Sequence, residues 1–443
     1  MRHWHIWHTW HTSHKRVFLG LALFLMLSMA LAACGGPSAK GSGTVELTFW
    51  SFNPPIQKQV DLFNQTHPNI HVTYRTEPSG FGQYYPKVLA SVRAGNAPDV
   101  ALIEYQYIPT MVANSALVDI SKYGANDAKS QFDPAAWALA GQGGAQYGYP
   151  QDTGPMGLFY NKATFEKAGI SQPPATWDEF AQDAVKIHAL GPNYYITSFP
   201  PQSTGWFQGL MWQAGAQWFS IDESKQAWKL GINSPESKKV ADFWQGLLDK
   251  GLVSTVADFS NGWNTGLNDG TIATWISAVW GQGVISGNAK DAAGKWAVAT
   301  MPQWTPGGKV TAMWGGSAIS VISGTKHPAE ANEFAKWYLT NQDSLKIGVN
   351  DIGWYPSNLQ ARSTAVNAQN AYYGNQVVDQ VFVNETVQPG WLFPPNLASV
   401  TNLQGDNFSS VVSKKMTLSD ALDHLQSQVA SDLQGNGISV EGP

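Results

Sequence analysis

Between Val45 and Ile103 the chain changes its apolar period again and again, and that alternation limits its fold more than any other feature. Val45-Glu46-Leu47-Thr48-Phe49-Trp50 alternates as a half-buried strand does. Ile56, Val60 and Phe63 then recur at helical spacing until His67-Pro68 ends the helix. Ile70, Val72 and Tyr74 alternate again, and Tyr84, Val88, Leu89 and Val92 mark a second helix closed at Gly95-Asn96. Val100–Ile103 is a short unbroken apolar run, suited to a parallel strand covered on both faces. Strand, helix, strand, helix, strand predicts an α/β sheet with right-handed crossovers.

A second set of elements follows Tyr149-Pro150. Met156 to Tyr160 reads as a strand, and Thr176-Trp177-Asp178-Glu179 is a capping box entered through Pro173-Pro174. Helices are expected at Ser237–Leu248 and from Pro328, where Ala331, Phe334, Ala335, Tyr338 and Leu339 share a face. Thr417-Leu418-Ser419-Asp420 caps a last helix carrying Ala421, Leu422, Leu425, Val429 and Leu433. With 443 residues in all, the material exceeds one ordinary core and fits two domains.

The N-terminus carries an address. Lys15 and Arg16 precede an apolar run from Val17 to Leu31, the layout of a secretory signal and short for a membrane span. Leu31-Ala32-Ala33-Cys34 ends it and resembles the lipobox of bacterial lipoproteins, in which the Cys becomes the lipidated first residue. Cys34 is the single cysteine, so no intramolecular disulfide can form. The expected order is a signal over residues 1–33, then a flexible tether over 34–43 rich in Gly and Ser, then the folded part. His3, His5, His8, His11 and His14 interleave with Trp4, Trp7 and Trp10 in a tract able to bind metal. That tract falls within the segment expected to be removed and is left out of the fold.

Removal of the signal takes away Arg2, Lys15 and Arg16 and no carboxylate, so the mature chain is more acidic than the formal −5 of the whole sequence. An acidic surface argues against nucleic acid as a partner. Charged residues are few at 13%, yet Trp reaches 20, of which 17 remain once Trp4, Trp7 and Trp10 go with the signal, an excess that suits stacking on pyranose rings. Only Arg75, Arg93 and Arg362 remain in the mature chain, which disfavours a phosphate-bearing ligand. No phosphate loop, nucleophile elbow or spaced metal ligands occur, so no cofactor, metal or catalytic residue is assigned. A carboxylate pair of the glycosidase kind has no particular candidates.

Open parallel sheets bind ligands outside the carboxyl ends of their strands. That rule selects Trp50, Ser51 and Asn53 after the first strand, and Glu104 and Tyr105 after the third. Asp152 lies just past the apparent crossover. Trp280 precedes Gly281, Trp314 precedes Gly315-Gly316, and Trp354-Tyr355 sits between Gly353 and Pro356, where glycine lets backbone approach a ligand. Trp177, inside its helix cap, is expected to be core, as are Trp137, Trp244 and Trp337.

Five stretches carry a resemblance. They are FNQTHPNIHVTY (Phe63–Tyr74), YYPKVLASVRAGNAPDVALI (Tyr84–Ile103), GYPQDTGPMGLFYNKATFEKAGISQPPATWDEF (Gly148–Phe180), DGTIATWISAVW (Asp269–Trp280) and GGSAISVISGTKHPAEANEFAKWYLTN (Gly315–Asn341). In this order the chain resembles the extracellular solute-binding proteins of bacterial sugar ABC importers, the group that includes maltodextrin-binding protein. The resemblance implies a two-lobe periplasmic-binding-protein fold of type II, whose lobes close by a hinge on a ligand in the cleft. Lobe I would comprise residues 44–152 and 301–340, and lobe II residues 153–300 and 341–443.

The family's Gly-Lys-Ala-Ala-Met segment is here Gly270-Thr271-Ile272-Ala273-Thr274, so no ligand contact is carried over within it. Trp280 stands where the family often has an aromatic near the sugar. Implied partners are a neutral mono- or oligosaccharide, the transmembrane subunits of an ABC permease, and the outer face of the cell membrane through a lipid on Cys34. A monomer without enzymatic activity is expected. The alternatives are a secreted carbohydrate-active enzyme, or the same fold holding a glycerophosphodiester or a polyamine.

Overall fold

The computed structural model describes residues 43–53, 56–78, 83–222, 224–365 and 368–441. The expected signal, the acylation site Cys34 and nearly all of the tether lie outside the described residues. β1 (Val45–Ser51) leads into α1 (Gln57–Thr66), β2 (Ile70–Thr76), α2 (Tyr84–Ala94) and β3 (Val100–Glu104), the alternation expected from the apolar period. α2 stops where Gly95 turns left-handed at φ 70°, a conformation that costs glycine no Cβ clash. The short α3 (Ile108–Ala113) follows, and β4 (Tyr149–Pro150) ends the first pass.

The chain then builds a second body from β5 (Met156–Asn161), α4 (Trp177–His188), β6 (Thr197–Ser198) and α5 (Thr204–Gln213). α6 (Pro235–Asp249), β7 (Val253–Ser254), α7 (Asn261–Asp269), β8 (Thr274–Ala278) and β9 (Trp296–Thr300) complete its sheet region. β10 (Ser317–Val321) and α8 (Pro328–Thr340) return to the first body, and α9 (Leu397–Val412) and α10 (Leu418–Gly435) finish in the second.

Lobe I is a five-stranded sheet of order β2-β1-β3-β10-β4, in which β2, β1 and β3 run parallel and β10 runs antiparallel to both neighbours. Its core is aromatic: Phe49 meets Phe334 and Tyr338 edge-on at 5.4 and 5.7 Å. In lobe II, β8 and β9 flank β5 antiparallel. β6 pairs with β7 in parallel, and Thr274 donates to the Ile196 carbonyl at 2.7 Å, which joins β6 to the edge at β8. The order across lobe II is therefore β7-β6-β8-β5-β9, three parallel strands beside two others, the pattern of lobe I.

The capping box at Thr176 forms as its sequence predicts, with the Thr176 hydroxyl accepting from the Glu179 amide and the Glu179 carboxylate from the Thr176 amide. Trp177 behind it is 1% exposed and donates through Nε1 to Gln213 Oε1 at 3.0 Å. Trp244 is buried as well, and Trp206 lies edge-on to it at 5.0 Å.

Two lobe boundaries differ from expectation. Met301, Ala312 and Met313 join the lobe II core, and Thr311 donates to the Met156 carbonyl at 2.7 Å, so residues 301–313 pack with lobe II. At the other end, Trp354 lies in the lobe I core and Arg362 pairs with Asp133 at 2.9 Å, so lobe I continues well past Thr340. The sequence marks helices and turns at these places but not which core they face.

Candidate functional site

Strand polarity decides where the lobes meet. In lobe I, β4 ends at the same edge as β3, and the chain leaves it through residues 151–155. In lobe II, Met156 at the start of β5 pairs with Ala278 at the end of β8. Five residues span at most about 18 Å, so the carboxyl edges of the two parallel sets stand close together. The return segment 313–317 keeps the same company, since Pro155 bridges Met313 and Ser317 pairs with Glu104. A third strand runs alongside: Thr153 donates to the Tyr355 carbonyl at 3.0 Å and Ser357 to the Gln151 carbonyl at 3.1 Å.

Several sequence-selected residues gather on this seam. The Glu104 carboxylate accepts from the Tyr85 hydroxyl at 2.8 Å, and Tyr85 stacks on Tyr107 at 3.5 Å. Asp152 Oδ1 accepts from the Ser317 amide at 3.0 Å and its hydroxyl at 2.9 Å. Tyr105 donates through its hydroxyl to the Asp152 carbonyl at 2.8 Å. A Cβ on Gly316 would stand 2.6 Å from the Tyr105 ring, so only glycine fits there. Burial pushes Glu104 up to about 7, aided by the Asp152 charge, and pushes Asp152 up to about 6.

Trp280 and Trp314 meet edge-on at 4.8 Å, and Trp280 Nε1 donates to the Trp314 carbonyl at 2.7 Å. Gly315 lies beneath, where a Cβ would come within 3.3 Å of that nitrogen. Both indoles are only partly buried. Trp275 of β8 supports them edge-on at 5.7 and 6.0 Å.

Other selected residues are engaged elsewhere. Trp50 is 8% exposed, with Arg75 and Lys87 over its ring at 5.4 and 5.1 Å, both paired to the buried Glu77. Ser51 is fully buried and accepts from the Asn53 amide, while the Asn53 carbonyl accepts from the Tyr74 hydroxyl. Trp354, expected to touch ligand, is instead packed in the lobe I core beside Tyr338 and against Gly348. Gly353 and Pro356 announce the turn there but not the direction of the ring. Tyr355 is buried in the lobe II cluster with Arg362 over its ring at 5.0 Å.

Sequence reasoning missed one group altogether. Asp258 follows β7, and its two carboxylate oxygens accept from Ser198 Oγ at 3.1 Å and Ser203 Oγ at 3.0 Å. Burial pushes it up to about 6. β6 and β7 are two residues long, too short for any apolar period to reveal. The Ser260 cap of α7 is the one local signal that a strand-to-helix turn stands here.

Two α/β lobes meeting at their carboxyl edges across three crossing strands, with carboxylates and half-open indoles on the seam, define a two-lobe solute-binding protein. The chain belongs to the bacterial extracellular solute-binding protein family, which matches residues 50–344. It is similar to the arabinooligosaccharide-binding protein of Bacillus subtilis (strain 168), 24% identical over 351 residues that cover 75% of this chain and 79% of that one. Among solved structures it resembles the ABC-transporter-associated binding protein of B. animalis subsp. lactis Bl-04 in complex with β-1,6-galactobiose, with a TM-score of 0.75 and 27% identity over 90% of this chain and all of that one. The galacto-N-biose-/lacto-N-biose I-binding protein from Bifidobacterium longum, in complex with lacto-N-biose, gives a TM-score of 0.77 and 27% identity, covering 90% and 99%. Membership makes the chain an exported solute-binding protein.

Proposed function

We propose that this protein is the carbohydrate-capturing subunit of an ABC importer, holding a neutral saccharide between its lobes and passing it to the permease without chemical change. The observation that carries the reading is the pairing, on one seam, of the half-open Trp280–Trp314 corner with the Glu104 and Asp152 carboxylates. Indole faces stack on the C–H faces of a pyranose, and carboxylates accept from its hydroxyls. Relatives named for arabinooligosaccharides and lactose support the same ligand class.

A neutral ligand is favoured by where the guanidinium groups are. Arg75 pairs with Glu77 and Arg362 with Asp133, which leaves little to receive a phosphate. Cys34 after its apolar run supports a lipid anchor at the outer face of the cell membrane, and the folded part acts as a monomer. Binding favours closure only through contacts made when both lobes reach the ligand.

The test is a thermal-shift screen of neutral saccharides, sugar phosphates and polyamines, since a ligand that binds only the native state raises the melting temperature. A shift with a neutral saccharide, recovered unaltered after long incubation, supports the reading. Shifts confined to phosphates or polyamines, or a cleaved saccharide, contradict it.

A further inference from the structure

Next to the Trp280–Trp314 corner stands a group of side chains whose conformations make poor sense as structure alone. Ser203 occupies the N-cap position of α5, where a serine hydroxyl ordinarily accepts from a free helix amide. Here it makes no capping bond and donates to Asp258 instead. Ser198 donates to the other oxygen. None of the ion pairs among the described residues involves Asp258. Two hydroxyl donors, with the Trp275 indole beside them, still use only part of a carboxylate's accepting capacity, so a lone pair remains for a further donor.

The next residue is odder. Phe259 has φ 63°, a backbone conformation that favours glycine or asparagine and is an outlier for a bulky side chain. Its ring is also 52% exposed, one of few large apolar side chains in that state among the described residues. An aromatic ring that gains little burial in a backbone suited to glycine points to a role outside folding. One side of the ring is braced edge-on by Trp275 at 6.0 Å and tilted against Trp263 at 5.4 Å.

Topology puts this group on the ligand-facing edge. Asp258 and Phe259 follow β7, Ser203 follows β6 and Trp280 follows β8, three parallel strands whose carboxyl ends share one edge. The wall between them is continuous. Gly205, two residues after Ser203, lies under the Trp314 indole, where a Cβ would come within 2.8 Å of Nε1. Trp275 touches Phe259, Trp280 and Trp314 alike.

We infer that Asp258 and Phe259 form a second saccharide subsite, in which the Phe259 ring stacks on a sugar ring and the Asp258 carboxylate accepts from its hydroxyls. Ser198 and Ser203 are positioning residues that aim the carboxylate. The inference rests on the carbohydrate reading and sharpens it: the ligand has at least two rings, one at Trp280–Trp314 and the next at Phe259.

The experiment is calorimetric titration of wild type, Phe259→Gly and Asp258→Asn with lactose, β-1,6-galactobiose, raffinose and maltotriose, and with their component monosaccharides. Phe259→Gly removes the ring while suiting the backbone, so its melting temperature should hold or rise. Both variants should lose tenfold or more in affinity for the best oligosaccharide and keep the wild-type affinity for its monosaccharides. Unchanged oligosaccharide affinity overturns the inference, as does an equal loss for monosaccharide and oligosaccharide. A lower melting temperature of Phe259→Gly with binding intact would show the ring to be structural and overturns it too. A wild type that binds no saccharide removes the reading beneath it, an outcome plainly different from normal wild-type binding with indifferent variants.

Discussion

Trp280 Nε1 donates to the Trp314 carbonyl at 2.7 Å, and so ties the loop after a lobe II strand to the segment that crosses back toward lobe I. The two indoles meet edge to face on the seam. Trp280→Ala or Trp314→Ala should each weaken saccharide binding by roughly 1–3 kcal/mol, about ten- to a hundredfold, through lost apolar contact. Circular dichroism should show the fold intact. Trp280→Phe keeps a ring and loses the hydrogen bond, so its affinity should lie between those of wild type and Trp280→Ala.

Leu397 heads α9 of lobe II, yet its side chain is 2% exposed in a cluster with Ile108 and Met111 of lobe I. A contact across the cleft exists only when the lobes are together. Leu397→Ala should therefore speed ligand dissociation and weaken affinity about five- to thirtyfold, the equivalent of about 1–2 kcal/mol of buried apolar surface. The melting temperature without ligand should move little. A large drop there, with unchanged dissociation, would make Leu397 an ordinary core residue.

Three seam carboxylates, Glu104, Asp152 and Asp258, are raised by burial to about 7, 6 and 6 from ordinary values of 4.5, 3.8 and 3.8. Between about pH 4.5 and 7 the folded chain thus holds more protons than the unfolded one, and stability falls as pH rises through that window. Surface carboxylates held low by hydrogen bonds to lysine, such as Asp423 beside Lys238, act at more acidic pH, outside that window. The melting temperature of the ligand-free protein should decline from about pH 5 to about pH 7.5. Glu385, raised by burial to about 7, contributes in the same direction, so Glu104→Gln should make the decline shallower rather than abolish it, and a rise over that range would contradict the assignment.

Trp177 fills the lobe II core behind its capping box. Trp177→Ala should cost about 3–5 kcal/mol in chemical denaturation. Thr176→Ala should cost about 1 kcal/mol through the lost cap. Saccharide affinity, corrected for the folded fraction, should be unchanged in both.

The parts legible in the sequence are those with a period or a cap. β1, β2 and β3 announce themselves by alternation or by an unbroken apolar run, and the capping box at Thr176 and the cap at Thr417 form where the sequence predicts them. The positions of Glu104, Asp152, Trp280 and Trp314 at the seam follow from strand ends and glycines, and their part in binding is the proposal that the variants test. Trp354 shows the limit of that rule: flanking turn residues locate a ring near a chain reversal, while tertiary packing alone decides whether it faces solvent or core. Asp258 shows another limit, because two-residue strands carry no pattern and their position depends on hydrogen bonds to residues 196 and 254, far apart in the chain.

Capture of a neutral saccharide between the lobes is tested most directly by calorimetric titration with neutral saccharides and their phosphorylated counterparts, in wild type and in a Trp280→Ala/Trp314→Ala double variant. One-to-one binding of at least one neutral saccharide is expected, tighter than its phosphorylated form, with loss of that binding in the double variant. Tighter binding of the phosphorylated ligand, or wild-type affinity in the double variant, would contradict it.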